Sequence, residues 1–354
     1  MNIFLSAQPS LLERAWLAIR YPYDLVRNPL NALLSIPALS FLLIPTFSSY
    51  STSFNLLFFY VTWSTLILSN SPLKVEVLGS LGIRVLFYLL PSTAFLAFDG
   101  ATPTLAAKAK EHGESALPMG EEQGGRKGRW WRTALVSTGN VLLGIALQSC
   151  VELVFTKLLH FRSALKITTS LPMPWAIAID LIRGLFLREI FSYVLHRYLL
   201  HHPDSPLTSY HTSWQHTITA PYAFVANYDH PLAYILHVFL PTYLPALLFR
   251  FHLLTYHMYL AIVSLEETFA YSGYNVLPSG LILGGIARRQ ERHLMGEGKG
   301  NYSCLGIVDF VAGTLLGEDL VEEITEEAEN NHVQERLKGR VKRGGRKAKS
   351  RSRS

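Results

Sequence analysis

Long apolar runs are the feature of this sequence that most constrains its fold. They cover roughly residues 30–48, 54–70, 77–98, 133–155, 175–195 and 231–265. A transmembrane α-helix needs about 20 predominantly apolar residues. Hydrophobic residues make up 49% of the 354 positions and charged residues only 16%, whereas about 25% of an average soluble protein is charged. The sequence therefore predicts an all-α integral membrane protein, built as a bundle of several transmembrane helices.

The runs differ in how well each suits a single membrane span. The runs at 133–155 and 175–195 are the best candidates. The first three runs are interrupted at Pro37, Pro45, Arg84 and Pro91. Because proline removes a helical hydrogen bond, we expect at least one of these three to be re-entrant or interfacial. The last run is interrupted at Pro241, Pro245 and Arg250, which predicts two shorter helices that form a hairpin.

The polar segments indicate the topology. Residues 100–132 are polar and rich in Lys and Arg, and residues 338–354 carry nine Lys or Arg and no acidic residue. Cytoplasmic loops of membrane proteins carry an excess of these cations. We therefore expect both segments to be cytosolic. The tail has too few apolar residues to form a core, which predicts disorder, and it lacks the interleaved aromatic residues of a nucleic-acid-binding segment.

Histidines cluster where two of the predicted membrane helices emerge. The stretch "HRYLLHH" ends one apolar run, and 13 histidines occur in the chain. Six lie within 35 residues, and a seventh follows in the next large polar segment: His196, His201, His202, His211, His216, His230 and His293. Neutral imidazole is a common metal ligand, and it suits zinc, copper, iron and nickel. The cluster therefore predicts a metal site.

The spacing of these histidines limits the type of metal site. His196 and His201 are five residues apart, as are His211 and His216. On an ideal helix, five residues turn the side chain by about 140° away from its partner. Such a pair can converge only if the helix ends or distorts between them, or if two metals are bound. The i, i+4 histidine pair around a glutamate that marks zinc peptidases is absent.

The order of several motifs adds a resemblance to a known family. "LHRYLLHH" is followed by "SYHTSWQHTITAPYAFVANYDHP", then "LEETFAYSGYNVLP", then "ARRQERHLMGEGKGNYSCLGIVDFVAGT". Over roughly 175–318, this order resembles the fatty acid hydroxylase/sterol desaturase superfamily. The resemblance implies a membrane di-iron oxygenase whose transmembrane helices lie under a histidine-rich cytosolic helical cap. It also implies O2 as co-substrate, an endoplasmic reticulum location, and electrons supplied from NAD(P)H through cytochrome b5 by a separate protein.

The family's histidine boxes match this chain only in part. The resemblance implies metal ligands at His196, His201, His216, His230 and His293, with His211 one residue out of register and His202 as an alternate. At other positions where the family has histidine, this chain has Thr212, Gln215, Tyr271, Arg289 and Arg292. Arginine cannot lose its proton in a protein and cannot bind iron. About half of the expected ligands are therefore missing.

Carboxylates are candidates to complete or support the site. Asp229, Glu266 and Glu267 could supply oxygen ligands. For Glu266 and Glu267, an equally weighted alternative is that they are acidic residues at the cytosolic boundary of the membrane. Glu189 lies seven residues before His196 on the same helical face, so it could orient that imidazole. The histidines of the predicted hairpin are interpreted as packing or interfacial residues: His237, His252 and His257.

Two functions from different classes remain open at this point. The first is a membrane-bound non-haem di-iron oxygenase that hydroxylates or desaturates a sterol, sphingoid base or fatty acyl chain. The second is a catalytically silent relative that binds lipid or acts as a scaffold; a mononuclear metal enzyme is a third, minor alternative. The predicted segments are a membrane region at 1–99, a linker at 100–132, the hydroxylase-like domain at 133–318 and an acidic, then basic, tail at 319–354.

Overall fold

The computed structural model describes residues 50–119, 130–218, 220–274, 283–296 and 298–317. Within these ranges the regular elements are helices, and no strand is present. The apolar run at 30–48 and the tail at 319–354 lie outside the described residues. The helices are α1 (Tyr50–Ser69), α2 (Pro72–Ala101), α3 (Pro103–Ala109), α4 (Trp130–Leu158), α5 (Pro174–Leu195), α6 (Pro206–Trp214), α7 (Pro231–Leu248), α8 (Leu253–Ala270), α9 (Gly285–Met295) and α10 (Ile307–Ala312).

Three of the described helices are long and apolar enough to cross a membrane. They are α2, α4 and α7, with 30, 29 and 18 residues. The predicted fold class, an all-α membrane protein with several spanning helices and a histidine-rich cluster, is therefore confirmed. The cytosolic side of the cluster stays a prediction.

Helix α5 is not one of these three, contrary to the prediction for 175–195. The run is helical as expected, but four charged residues lie along it: Asp180, Arg183, Arg188 and Glu189. Arg188 and Glu189 are buried. Because a charge in hydrocarbon is costly, these side chains are directed toward protein partners. The helix thus brings polar groups into the bundle.

Helix α2 continues through Arg84 and Pro91 without a break. The expected interruption of the run at 77–98 is therefore not present. A π-helical turn at Val85–Leu89 comes immediately before the proline. An α-helical proline clashes with the carbonyl four residues earlier, and the wider π-turn relieves this crowding. Helix α7 has the same arrangement, with a π-turn at Ile235–Phe239 before Pro241.

Helices α7 and α8 form the hairpin predicted for 231–265. The chain reverses at 249–252, where Arg250 has a φ of 48°. Near the turn, the rings of Tyr243 and Tyr256 pack 5.9 Å apart. Farther from the turn, Val238 and Glu266 line one cavity. The two helices are therefore antiparallel.

The described residues form two compact units. The smaller contains residues 50–75 and Ile167–Ile179, and the larger contains residues 76–119, 130–166 and the described residues from 180 to 317. In the smaller unit, the indole N–H of Trp63 donates to the carbonyl of Thr168 at 3.0 Å. The histidine cluster lies entirely in the larger unit. The segment boundaries predicted at 99, 132 and 318 stay predictions.

Buried ion pairs hold the end of α8 in the larger unit. Arg84 of α2 donates to Glu267 at 2.6 Å, and Arg188 of α5 donates to both carboxylate oxygens of Glu266 at 2.8 and 3.0 Å. The side-chain amide of Asn227 also donates to Glu267, at 2.9 Å. Removing one partner of a buried pair leaves an uncompensated charge, which costs about 3–5 kcal/mol.

This pairing predicts how substitutions of Arg84 change stability. We expect Arg84→Met to lower the melting temperature in detergent strongly, and Glu267→Gln to restore part of the loss when both changes are combined. The control is Arg183→Met, since Arg183 is partly exposed and lies 3.8 Å from Asp180, and such pairs contribute about 1 kcal/mol or less. Equal melting temperatures for Arg84→Met and Arg183→Met would contradict this account.

Candidate metal centre

Five imidazole rings meet in the larger unit. They belong to His196 and His201 at the end of α5, His211 in α6, His216 just after α6, and His293 in α9. The ring centroids of contacting pairs lie 4.6–5.1 Å apart. Residues from three helices, separated by almost 100 positions in sequence, are thus gathered at one point.

A distortion of the helix brings His196 and His201 together. After α5 the chain makes a π-helical turn at His196–Leu200, and the N–H of His201 donates to the carbonyl of His196 at 3.0 Å. A π-turn closes a bond between residues five apart, so it aligns two side chains that an α-helix would separate. The Nε2 atoms of the two rings are 3.2 Å apart. The sequence left open whether the helix distorts here, and the structure shows that it does.

Hydrogen bonds on the outer side fix the orientation of three rings. Nδ1 of His196 lies 2.9 Å from the carbonyl of Tyr302, and Nδ1 of His293 lies 2.6 Å from the carbonyl of Gly300. Nδ1 of His211 lies 2.6 Å from Oδ2 of Asp229. Because these oxygens are acceptors, each Nδ1 donates its proton and leaves a lone pair on Nε2. Metal-bound histidines almost always have such a partner on the outer nitrogen.

The inner nitrogens therefore face one another with lone pairs. Nε2 of His196 is 3.2 Å from Nε2 of both His201 and His211. With Nδ1 protonated in His196 and His211, no proton is available for a hydrogen bond between those two Nε2 atoms. Metal–imidazole bonds are about 2.0–2.1 Å long, so nitrogens on one ion lie about 3 Å apart. The spacing fits a metal ion.

Protonation is a poor alternative to a metal at this point. Burial, followed by the neighbouring imidazoles, lowers the pKa of His201 to about 2 and that of His216 to about 4. Both side chains are therefore neutral near pH 7, which is the form that binds metal. In addition, the buried Nε2 of His293 has no hydrogen-bond partner among the described residues. A bound cation would satisfy it.

The comparison with known families agrees with this geometry. Residues 181–314 match the model of the fatty acid hydroxylase family. This segment carries the fatty acid hydroxylase pattern. The match lies within the segment whose resemblance was noted in the sequence, which is thereby confirmed, and it includes all five clustered histidines. No solved structure matches the chain significantly.

Two predicted ligands of this fatty acid hydroxylase segment lie outside the cluster. His202 is exposed, with Nδ1 3.9 Å from Asp204. His230 stacks on Tyr210 with centroids 4.4 Å apart. Its Nδ1 accepts the N–H of Leu232 at 3.3 Å and so caps the start of α7.

The four predicted carboxylates have separate partners. Asp229 orients His211, as a supporting residue of the site. Glu189 does not contact His196 but accepts three backbone N–H groups, from Leu305 at 2.6 Å, Ile307 at 2.8 Å and Val308 at 3.2 Å. It thereby fixes the loop that follows Tyr302. Glu266 and Glu267 form the ion pairs described above.

His237 also lies at the cluster. From the sequence it is interpreted as a packing or interfacial histidine, and this interpretation missed its position. Its ring centroid lies 4.3 Å from that of His196 and 5.2 Å from that of His211. Its Nδ1 is 3.6 Å from Oδ2 of Asp229. Its position about two turns into the helix that begins after His230 could have indicated that it lies near the cluster. Because the residues around it are apolar, the sequence favoured a packing role instead.

The residues that replace family histidines are engaged elsewhere. The hydroxyl of Thr212 donates to the carbonyl of Thr208 at 2.8 Å, and that of Tyr271 donates to Gln290 at 2.8 Å. Arg292 donates to the carbonyl of Leu316 at 3.4 Å. The remaining two contact backbone or loop atoms: Gln215 lies 3.5 Å from the carbonyl of Val225, and Arg289 packs beside Gly306.

The close approach of Gly298 to His201 leads to the first prediction for this centre. Its φ is +73°, and a Cβ there would lie 2.2 Å from Cε1 of His201. We expect Gly298→Ala to displace His201 and to lower metal content sharply. The control is Gly313→Ala, because Gly313 has a similar φ of +67° but no atom within 4 Å of its Cβ position. Elemental analysis of both purified variants tests this expectation. Equal metal contents would show that the contact between Gly298 and His201 does not matter for metal binding.

Asp229 generates the second prediction. Loss of a carboxylate that orients a metal-bound histidine typically costs about 10–100-fold in metal affinity. We therefore expect Asp229→Asn to weaken metal binding by about that factor in a competition assay with a chelator. Asp204→Asn, at an exposed carboxylate, should leave affinity unchanged. An Asp229→Asn variant that binds metal as the parent does would show that the carboxylate plays no supporting role.

Proposed function

We propose that this protein is a membrane-bound, metal-dependent oxygenase that hydroxylates or desaturates a lipid-like substrate. The observation that carries the proposal is the convergence of four histidines, His196, His201, His211 and His293, whose ligand atoms lie within 4.8 Å of one another, inside a fatty acid hydroxylase segment. Three candidate membrane-spanning helices in the same chain support an apolar substrate. A sterol, a sphingoid base and a fatty acyl chain all meet this description.

The proposed cofactor is non-haem iron. Imidazole nitrogens suit iron, zinc, copper and nickel, and the family resemblance favours iron. When bound, iron supplies the activation of O2 needed to oxidise an unactivated C–H bond. The protein's part is to hold neutral imidazoles ready, through the carbonyls of Gly300 and Tyr302 and the carboxylate of Asp229. His196, His211 and His293 are buried, which limits the access of water to their rings.

The stoichiometry requires an external electron donor. Hydroxylation consumes the C–H bond, O2, two electrons and two protons, and it yields the alcohol and one water. Desaturation consumes two C–H bonds with the same co-reactants and yields the alkene and two waters. We expect the electrons to come from NAD(P)H through a separate cytochrome b5 and its reductase. An endoplasmic reticulum membrane is the location that suits such a donor.

A small cavity with mixed polar and apolar walls adjoins the cluster. It has a volume of about 40 Å³ and is lined by His237, Arg188, Glu266, Gln290, Tyr302 and Cys304, among others. A water molecule occupies about 30 Å³ of liquid volume, so the cavity suits water or dioxygen rather than a lipid chain. We expect a lipid to bind only when the surrounding side chains move apart.

A catalytically silent relative is the second candidate. The replacement of family histidines by Arg289, Arg292 and Tyr271 favours it. Such a protein would keep the helical bundle and bind or scaffold lipids without oxidising them. It would show no lipid product even when its metal content is complete, which separates it from the oxygenase.

Lipid analysis of cells that express the full chain tests the oxygenase. Grown under ¹⁸O2, cells with the parent protein should gain a lipid that carries one ¹⁸O atom, or one that lacks two hydrogens. His201→Ala should abolish that product, because it removes the imidazole that contacts the other four. His202→Ala, which changes an exposed neighbour, should retain it. A product that persists in His201→Ala would contradict the proposed site.

A further inference from the structure

The ring of Tyr302 lies against the histidine cluster. Its centroid is 5.7 Å from that of His196, 5.5 Å from that of His201 and 5.8 Å from that of His293. Aromatic rings in contact have centroids about 4.5–7 Å apart. In the described part of the chain, no other tyrosine or tryptophan ring contacts the clustered imidazoles. Because phenol and indole are the aromatic side chains most easily oxidised, an oxidant formed at the cluster would meet Tyr302 first.

Two further tyrosines continue the contact from Tyr302 to the protein surface. Tyr193 lies 6.2 Å from Tyr302, and Tyr198 lies 6.3 Å from Tyr193, between ring centroids. Tyr193 is buried, whereas Tyr198 is 50% exposed or nearly so. The guanidinium of Arg197 lies over both outer rings, 5.5 Å from Tyr193 and 5.3 Å from Tyr198, and such contacts help to hold the rings in place. The three phenols form a continuous path, the tyrosine chain, from the cluster to the surface.

The chemistry of the phenol determines when electrons pass along this chain. Adding an electron to an intact phenol is unfavourable, so electrons from NAD(P)H cannot use these tyrosines as stepping stones while all three are intact. A tyrosine gives up an electron only to a strong oxidant. The proposed function supplies one, because an oxidant that attacks an unactivated C–H bond is also able to oxidise a phenol. The tyrosine chain therefore conducts when such an oxidant is present and no lipid consumes it.

We propose that Tyr302, Tyr193 and Tyr198 carry surplus oxidising equivalents away from the metal site when no lipid is bound. In the first step, Tyr302 loses one electron to the oxidant and its phenol proton to water, and it becomes a neutral tyrosyl radical. In the second step, Tyr302 regains an electron from Tyr198 through the ring of Tyr193, and a proton from water, while Tyr198 releases its own proton. A soluble thiol then restores Tyr198 by donating a hydrogen atom.

Burial of the cluster gives this route its purpose. His196, His211 and His293 are buried, so a soluble reductant cannot reach them directly. An oxidant that is not consumed would therefore attack the nearest side chains, and these include the imidazoles themselves. The exposed phenol of Tyr198 is the point at which a reductant makes contact. The inference rests on the proposed function, because it needs an oxidising metal site.

Radical trapping tests the inference without lipid turnover. The full chain is purified in detergent, loaded with Fe(II), freed of unbound iron and treated with hydrogen peroxide and a nitroso spin trap. Electron paramagnetic resonance measures the trapped radical, and peptide mass spectrometry locates it. We expect trapping at Tyr198, and several-fold less in Tyr302→Phe, which keeps the backbone carbonyl that holds His196. Tyr210→Phe is the control, because Tyr210 is also exposed but stacks on His230 outside the chain; trapping at Tyr198 should persist.

Substitutions of the outer tyrosines separate conduction from a structural role. Tyr193→Phe retains the bridging ring and should preserve most of the trapping at Tyr198, whereas Tyr193→Leu removes the ring and should reduce it. In Tyr198→Phe, the trapped radical should appear at Tyr302 instead. Equal trapping at Tyr198 in the parent and in Tyr302→Phe, at equal iron content, would overturn the proposal.

The outcomes also distinguish this inference from the proposed function. A lipid product together with no radical on the tyrosine chain would reject the chain alone. Trapping that depends on Tyr302, together with no lipid product in cells, would reject the oxygenase alone. A folded parent protein that binds no iron would reject both.

Discussion

The mutual approach of buried, neutral imidazoles is the constraint on which the rest of the structure depends. Lone pairs on nitrogens 3.2 Å apart repel one another, and burial denies them water. An unsatisfied buried polar atom costs about 1–3 kcal/mol. A metal ion would remove this cost, because it would turn each lone pair into a bond. The cluster therefore has the arrangement that a set of metal ligands requires, and the surrounding helices hold it in place.

The loop after α9 supplies much of this support through its backbone. The carbonyls of Gly300 and Tyr302 fix two of the rings, so the path of this loop must itself be held. Asp309 accepts the N–H groups of Tyr302 and Ser303 at 3.0 and 2.7 Å. Glu189 accepts three more N–H groups just beyond them. Two buried carboxylates thus control the position of imidazoles that they do not touch.

The sequence allowed the helical membrane class and most of the clustered histidines to be predicted, because both depend on residue type. Apolar runs specify helices directly, and five of the seven histidines proposed as ligands lie together. The position of His230 was not predictable, since its role as a helix cap depends on the local turn before α7. The roles of Gly300 and Tyr302 depend on backbone carbonyls, which any residue carries. His237 reaches the cluster only through the packing of α7.

The central claim is that the clustered imidazoles bind a metal ion. X-ray absorption spectroscopy of the iron-loaded full chain tests it most directly, because it reports the ligands and the neighbours of the metal together. The account predicts a shell dominated by imidazole nitrogens at about 2.0–2.2 Å, with strong imidazole multiple scattering. A shell dominated by oxygen would contradict it.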